Sequence, residues 1–183
     1  MQTISQILTN NNDIYEINYN FVEYKKNYNT YFNNKEQEMN VRYQNIQDII
    51  NILNKHNIEH WLQGKTMLGI SKFNKLLEND SDEDIGLDHK NILPICIIII
   101  PELIKLGFKV IRATKNNSMV SVMRNNRYLD FCFFQTNNKN EYFYELKRFP
   151  RHFYDNIITI EVNNFKYNIP EKYKEICKFS YNI

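Results

Sequence analysis

Residues 64–88, GKTMLGISKFNKLLENDSDEDIGLD, decide how this chain is read, because they hold fragments of two different ion-binding motifs. Gly64-Lys65-Thr66 has the ending of a Walker A loop, whose glycine-rich backbone cradles phosphates while a lysine neutralises them. That loop needs another glycine at position 59, which is Glu59. Asp80-Ser81-Asp82-Glu83-Asp84 opens like an EF-hand, with oxygen ligands at loop positions 1, 3 and 5. Positions 6 and 12 of that loop must be Gly and Glu, and here they are Ile85 and Asn91. Neither motif completes.

Working outward, IEHWL (58–62) reads as a short strand running into Gly64, Thr66–Phe73 as a helical stretch, and Asp82–Leu87 as a strand. Alternation along that strand puts Asp82 and Asp84 on one face, roughly 6 to 7 Å apart. RYLDFCFF (127–134) is a further strand, with Leu129, Phe131 and Phe133 on one face and Tyr128, Asp130, Cys132 and Phe134 on the other. Asp130 is a lone acid in an apolar strand, and a buried carboxylate is costly unless a cation or donor meets it. A Gly turn opening a helix supplies N–H donors for phosphates. An Asp-x-Asp strand with a third Asp supplies the hard oxygen ligands that Mg²⁺ or Mn²⁺ takes beside a nucleotide phosphate.

These residues carry a resemblance. Gly64-Lys65-Thr66-Met67-Leu68-Gly69, Lys72 and Asp80-Ser81-Asp82-Glu83-Asp84-Ile85-Gly86 resemble, without a gap, the Gly-Gly-Thr-Leu-Leu-Gly, Arg and Pro-Trp-Asp-x-Asp-x-Asp-hydrophobic-Gly signature of LicD/fukutin-type proteins. Tyr128-Leu129-Asp130-Phe131 is similar to the family's third-acid strand, and Phe165–Pro170 with Tyr173 to its closing hairpin and Pro-x-x-Tyr segment. The resemblance implies a nucleotidyltransferase-type mixed β-sheet flanked by helices. It also implies transfer of a phosphorylated alcohol from a nucleoside diphosphate donor, such as a CDP-alcohol, to a glycan acceptor. Carried over, Asp82, Asp84 and Asp130 would hold the metal. Gly64 and Thr66 would line the donor phosphates, with Lys65 and Gly69 in the same motif, and Lys72 would stand where the family has Arg. Asp80 would be an ancillary acid, near the metal or acting as general base on the acceptor hydroxyl. Three positions depart from the signature: Lys65 replaces the second Gly, Lys72 replaces Arg, and Glu78-Asn79 replaces Pro-Trp. Two other readings use the same residues: a nucleotidyltransferase moving NMP to a small molecule, protein or RNA end, and a degenerate module that binds nucleotide or glycan without turnover. Arg124 and Arg127, shortly before Asp130, are further candidate substrate contacts.

The remaining chain sets the frame. With 183 residues and 43% hydrophobic content it can bury one core, and the absence of repeats or Gly/Ser linkers argues for a single mixed α+β domain. Residues 46–183 form the expected catalytic domain and 1–45 an extension packed on it. Ile46, Ile49, Ile50 and Leu53 mark an amphipathic helix within 36–56. Residues 13–24 suit a strand or a helix. A second helix is expected over 91–106, trimmed or kinked by Pro94 and Pro101 and capped by Gly107. FKVIRA and MVSVM read as strands, IITIEV-NN-FKYNIP as a hairpin and Glu171–Phe179 as a helix. His60 and Trp61 read as packing residues, and Lys147, Arg148, Arg151 and His152 as solvated surface. A formal net charge of +2 gives no field for nucleic acid, so no such partner is expected. The start has no signal-peptide pattern, the most apolar run (92–106) is too short and too interrupted to span a bilayer, and three widely spaced cysteines suit a reducing, cytoplasmic setting.

Overall fold

Among the described residues two helices precede the sheet. Helix α1 (Ile4–Asn12) buries Ile4, Ile7 and Leu8, the i, i+3, i+4 stripe of a single apolar face. Helix α2 (Lys35–Lys55) begins where Asn34 accepts a hydrogen bond from the Gln37 N–H at 2.8 Å, and it buries Ile46, Ile49, Ile50 and Leu53 as the periodicity predicts. In this computed structural model residues 3–12, 32, 34–114, 116–137 and 140–183 are described. The expected element at 13–24 lies outside them. Helix α2 runs unbroken through residues 45 and 46, and Glu38 and Arg42 on its first half are buried against the sheet.

The central sheet is mixed. Strands β1 (Trp61–Gln63) and β2 (Glu83–Asp88) are antiparallel and joined by helix α3 (Gly64–Phe73). After β2 a short 3₁₀ turn (His89–Asn91) leads into a helical run, α4 (92–105), in which a π-helical turn, Ile95–Ile99, separates α-helical pieces Ile92–Pro94 and Ile100–Lys105. Pro101 has no N–H to donate back along the helix and its ring crowds the carbonyl four residues earlier, and the widened turn falls directly before it. Strands β3 (Lys109–Ala113), β4 (Met119–Arg124) and β5 (Arg127–Thr136) follow, giving the order β1-β2-β5-β4-β3 with only β2 and β5 parallel.

Strands β6 (Glu141–Tyr144) and β7 (Lys147–Pro150) form a hairpin that extends β5, in a stretch where the sequence showed no strand and Lys147 and Arg148 read only as solvated surface. Each is four residues long, too short for alternation to show. The β8 (Ile157–Val162) and β9 (Phe165–Pro170) hairpin forms as expected. Its turn residues Asn163 and Asn164 have φ of 52° and 60°, the left-handed values that a two-residue type I′ turn requires. Helix α5 (Tyr173–Tyr181) closes the chain.

One sheet face belongs to α2, and three ion pairs tie the two together. Arg42 Nε reaches Glu83 Oε1 at 2.6 Å, Arg124 Nη2 reaches Asp48 Oδ2 at 2.6 Å, and Arg127 pairs with Glu38. Glu83, Ile85 and Leu87 of β2 and Leu129, Phe131 and Phe133 of β5 are all buried there, so apolar packing carries that layer and the ion pairs set its register. The opposite face is left to a different set of residues.

Candidate active site

A single cross-strand row builds the site. Gln63 of β1 lies opposite Asp84 of β2, Asp84 opposite Asp130 of β5, Asp130 opposite Ser121 of β4, and Ser121 opposite Arg112 of β3. Paired residues on neighbouring strands project from the same face, so the row lies on the side away from α2. Asp82 sits just ahead of β2, which begins at Glu83, one residue later than expected. Even so, one carboxylate oxygen each from Asp82, Asp84 and Asp130 lie within 4.8 Å of one another.

The Gly64 turn belongs to the same site. Its φ of +63° is the left-handed conformation that glycine adopts at no steric cost, and a Cβ there would come within 2.6 Å of Asp84 Oδ2. Two observations therefore favour glycine at position 64. Two residues on, Thr66 Oγ1 accepts a hydrogen bond from the Asp84 N–H at 2.9 Å, locking the start of α3 to the Asp-x-Asp strand. The first N–H groups of α3 have no acceptor within the helix, and they open beside the acids. Lys65 Nζ lies 3.5 Å from Asp80 Oδ1, with the lysine side chain exposed while Asp80 is buried.

Burial is the main cause of the electrostatics here. It raises the Asp84 carboxyl well above the usual carboxylate range, and repulsion from Asp82, Asp130 and Asp80 adds to the effect. Asp130 is pushed up to about 6 by burial, although Arg112 Nη2 at 2.6 Å from its Oδ2 draws it back. Burial and Asp82 raise Asp80, against the pull of Lys65. Beneath the row, Glu83 is pushed up to about 7 by burial, with Arg42 opposing. Cys132 Sγ lies 3.6 Å from Asp84 Oδ1, and burial holds its thiol well above the usual range.

A divalent cation fits this donor set. The three convergent ligands are all hard carboxylate oxygens, and Asp130 Oδ1 is buried with no hydrogen-bond partner. Buried mutual repulsion of this kind is what a cation between the groups would relieve.

Four of the expected substrate contacts lie outside the acidic row. Arg124 and Arg127 project from the α2 face, the opposite face from Asp130, and their guanidiniums are engaged by Asp48 and Glu38. The correction follows from parity, since positions 127 and 130 differ by an odd number of residues. Gly69 packs against the loop after α3, where a Cβ would meet the Lys75 carbonyl at 2.6 Å. Lys72 sits eight residues beyond Gly64, roughly 12 Å of helix rise away, and lines a cavity with Tyr173 and Cys177. His60 is buried and Trp61 packs among Phe134, Tyr142 and Tyr154. Arg112 and Cys132 are site neighbours that the sequence reading did not single out. Arg112 is one of two basic residues in FKVIRA, and nothing in its spacing shows which face it takes.

A mixed α+β fold of this topology, with a Gly turn facing an Asp-x-Asp strand and a third Asp on the next strand, defines a nucleotidyltransferase-type domain. The chain belongs to the LicD/FKTN/FKRP family, whose nucleotidyltransferase domain matches residues 57–172. It is 29% identical over 119 residues to "Uncharacterized protein RT0683" of Rickettsia typhi (strain ATCC VR-144 / Wilmington), covering 59% of this chain and 37% of that protein. With "Uncharacterized protein RP689" of Rickettsia prowazekii (strain Madrid E) it shares 32% identity over 68 residues, covering 37% of this chain and 25% of the relative. The chain thus spans well under half the length of either. Among solved structures, lincosamide antibiotic adenylyltransferase LnuA with lincomycin bound aligns over 76% of this chain and 87% of its own, at 15% identity and a TM-score of 0.49. ANT(2")-Ia with adenylyl-2"-tobramycin aligns over 76% and 78%, at 12% identity and a TM-score of 0.49. Among the described residues no helix is long and apolar enough to cross a membrane.

Proposed function

We propose that the domain transfers a phosphorylated alcohol from a nucleoside diphosphate donor, a CDP-alcohol by preference, to a hydroxyl of a glycan, with Mg²⁺ or Mn²⁺ held by Asp82, Asp84 and Asp130. The observation that carries the reading is the convergence of those three carboxylates beside the Gly64 turn. When bound, the metal supplies charge neutralisation for the donor phosphates and for the oxygens that attack and leave. The backbone from Gly64 to Thr66 binds phosphate oxygens, and Thr66 keeps Asp84 in place through the Asp84 N–H. Lys65, exposed and in contact with Asp80, adds positive charge beside the acids. The acceptor oxygen forms a bond to the phosphorus that bears the alcohol, and the bond from that phosphorus to the bridging oxygen breaks, releasing CMP. Asp80 takes the proton of the acceptor hydroxyl; burial raises its basicity for that task.

Product analysis decides between this reaction and NMP transfer. The purified protein is incubated with Mn²⁺, a CDP-alcohol or CTP, and glycan acceptors, and mass spectrometry reads what the acceptor gains. A gain of alcohol phosphate with release of CMP supports the proposal. A gain of NMP with release of pyrophosphate replaces it with nucleotidyl transfer. Nucleotide binding with no product from any donor would make the domain a binding module.

A further inference from the structure

The row that holds Asp84 and Asp130 ends on a cation delivered there by an irregularity of the backbone. Strands β3 and β4 pair Lys109 with Met123 and Val110 with Val122, then Arg112 with Ser121, so Ile111 is an extra residue in the ladder. Val122 pairs with Leu129, on the α2 face. Uninterrupted pairing would put Ile111 opposite Ser121 and return Arg112 to the α2 face. The bulge reverses that alternation and turns Arg112 onto the face of the acids.

The side chain is then held in a defined position. Arg112 Nε donates to Ser121 Oγ at 2.8 Å and Nη2 donates to Asp130 Oδ2 at 2.6 Å. The Arg112 side chain is 31% exposed where the Asp130 side chain is only 4% exposed, so the arginine lies on the solvent-facing side of a buried carboxylate. Its contact is with Oδ2, while Oδ1 has no hydrogen-bond partner. A phosphate drawn to a metal on the triad would come to the same side of Asp130 that carries this guanidinium. Arg is suited to such a place because its charge is permanent and its planar fork matches phosphate oxygens.

We infer that Arg112 is a phosphate-contacting residue of the site, which meets a phosphate group of the nucleoside diphosphate donor while its Ser121 contact keeps it at the rim of the acidic triad. This rests on the proposed function and adds a substrate contact that the signature motifs do not contain. Arg112 would supply positive charge on the β3 side of the site, opposite the Gly64 turn.

Calorimetry with two ligands tests it, using Mn²⁺ alone and then CDP at saturating Mn²⁺, on the wild-type protein, Arg112→Ala, Arg112→Lys and Ser121→Ala. Arg112→Ala is expected to bind Mn²⁺ as well as the wild type or better, since a neighbouring positive charge is removed, and to lose about ten- to hundredfold in CDP affinity, the worth of a charge-assisted contact. Arg112→Lys keeps a point charge and recovers part of the loss. Ser121→Ala leaves the charge but loosens its anchor, and weakens CDP by a smaller factor; it and Arg112→Lys carry the test should Arg112→Ala not fold. Wild-type CDP affinity in Arg112→Ala would overturn the inference and leave the proposed function standing. A fall in Mn²⁺ affinity that accounts for the whole CDP loss would also overturn it, making Arg112 only a support for Asp130. A wild-type protein that binds Mn²⁺ but no CDP would remove the donor reading itself, and the inference with it.

Discussion

Asp84 on β2 and Asp130 on β5 stand opposite each other in the one parallel pairing among the described strands. A parallel pair needs a long crossover, and here 41 positions separate Asp88, which ends β2, from Leu129, which pairs with its first residue. Two acids that no local motif connects become neighbours because the ladder sets them in register. With Asp82 just outside the strand, they form the triad on which the functional reading depends.

Replacing a triad acid should separate activity from stability. Asp84→Asn and Asp130→Asn are expected to abolish Mn²⁺ binding and metal-dependent turnover. In metal-free buffer near pH 8 the same changes should raise the thermal midpoint, because each removes a negative charge whose ionisation burial disfavours, an effect that the Arg112 contact reduces at Asp130. In a chain of this length each kcal/mol relieved corresponds to about 2–4 °C. Differential scanning fluorimetry with and without Mn²⁺ checks both. A metal-induced upward shift that persists in both variants would refute the assignment of the ion to this triad.

Proton competition at the triad should show in metal affinity. Asp84 and Asp130 have raised folded pKa values, the latter about 6, so in the metal-free protein they hold protons at higher pH than exposed carboxylates do. The cation needs both ionised, so Mn²⁺ affinity is expected to rise with pH through about 6, with protons released on binding. Titrations in two buffers of different ionisation enthalpy measure the release. A pH-independent affinity between 5 and 7.5 would contradict it.

Gly64→Ala should injure the site more than the fold. A left-handed conformation costs a non-glycine residue about 1–2 kcal/mol, and the added methyl would press on Asp84 Oδ2 from 2.6 Å. The expected result is a folded protein, slightly destabilised, with turnover reduced at least tenfold and weakened Mn²⁺ binding. Lys65→Ala, next along the chain, should leave Mn²⁺ binding intact.

The Arg42–Glu83 pair is buried on both sides, with each side chain 1% exposed. Arg42→Met strands the carboxyl and should cost about 3–5 kcal/mol. Glu83 already has a folded pKa raised to about 7, and losing the Arg42 attraction raises it further. A raised carboxyl pKa means stability that is present at low pH and lost as pH rises through the folded value. Arg42→Met should therefore be hurt most above pH 7 and least near pH 5, and Arg42→Met/Glu83→Leu should recover much of the loss. Urea midpoints at pH 5 and 8.5 measure this.

His60 gives the opposite pH dependence. Its Nδ1 lies 2.8 Å from the Ile58 carbonyl, its Nε2 is buried without a partner, and burial lowers its pKa. A depressed folded pKa means stability that is present above the unfolded value of about 6.5 and lost as pH falls through the folded one. His60→Leu should remove that part of the acid sensitivity, so the stability gap between variant and wild type must change in the variant's favour as pH drops from 7.5 towards 5. A gap that is constant with pH would count against a neutral buried His60.

Much of this protein is determined by local pattern. The Ile46–Leu53 stripe dictates α2 because apolar residues at helical spacing can all reach one core. Asn163-Asn164 dictates the β8–β9 turn because Asn tolerates left-handed φ. The Gly64 turn, the Asp-x-Asp strand and the odd acid at 130 were legible for a chemical reason, since each is out of place unless it serves a ligand. What only the tertiary structure decided was which residues share a face. Parity along β5 sends Arg127 to α2 and Asp130 to the site, and one extra residue at Ile111 turns Arg112 towards the same acids. Neither outcome can be read from composition or spacing, because a bulge or a one-residue shift in strand start reverses every side chain that follows.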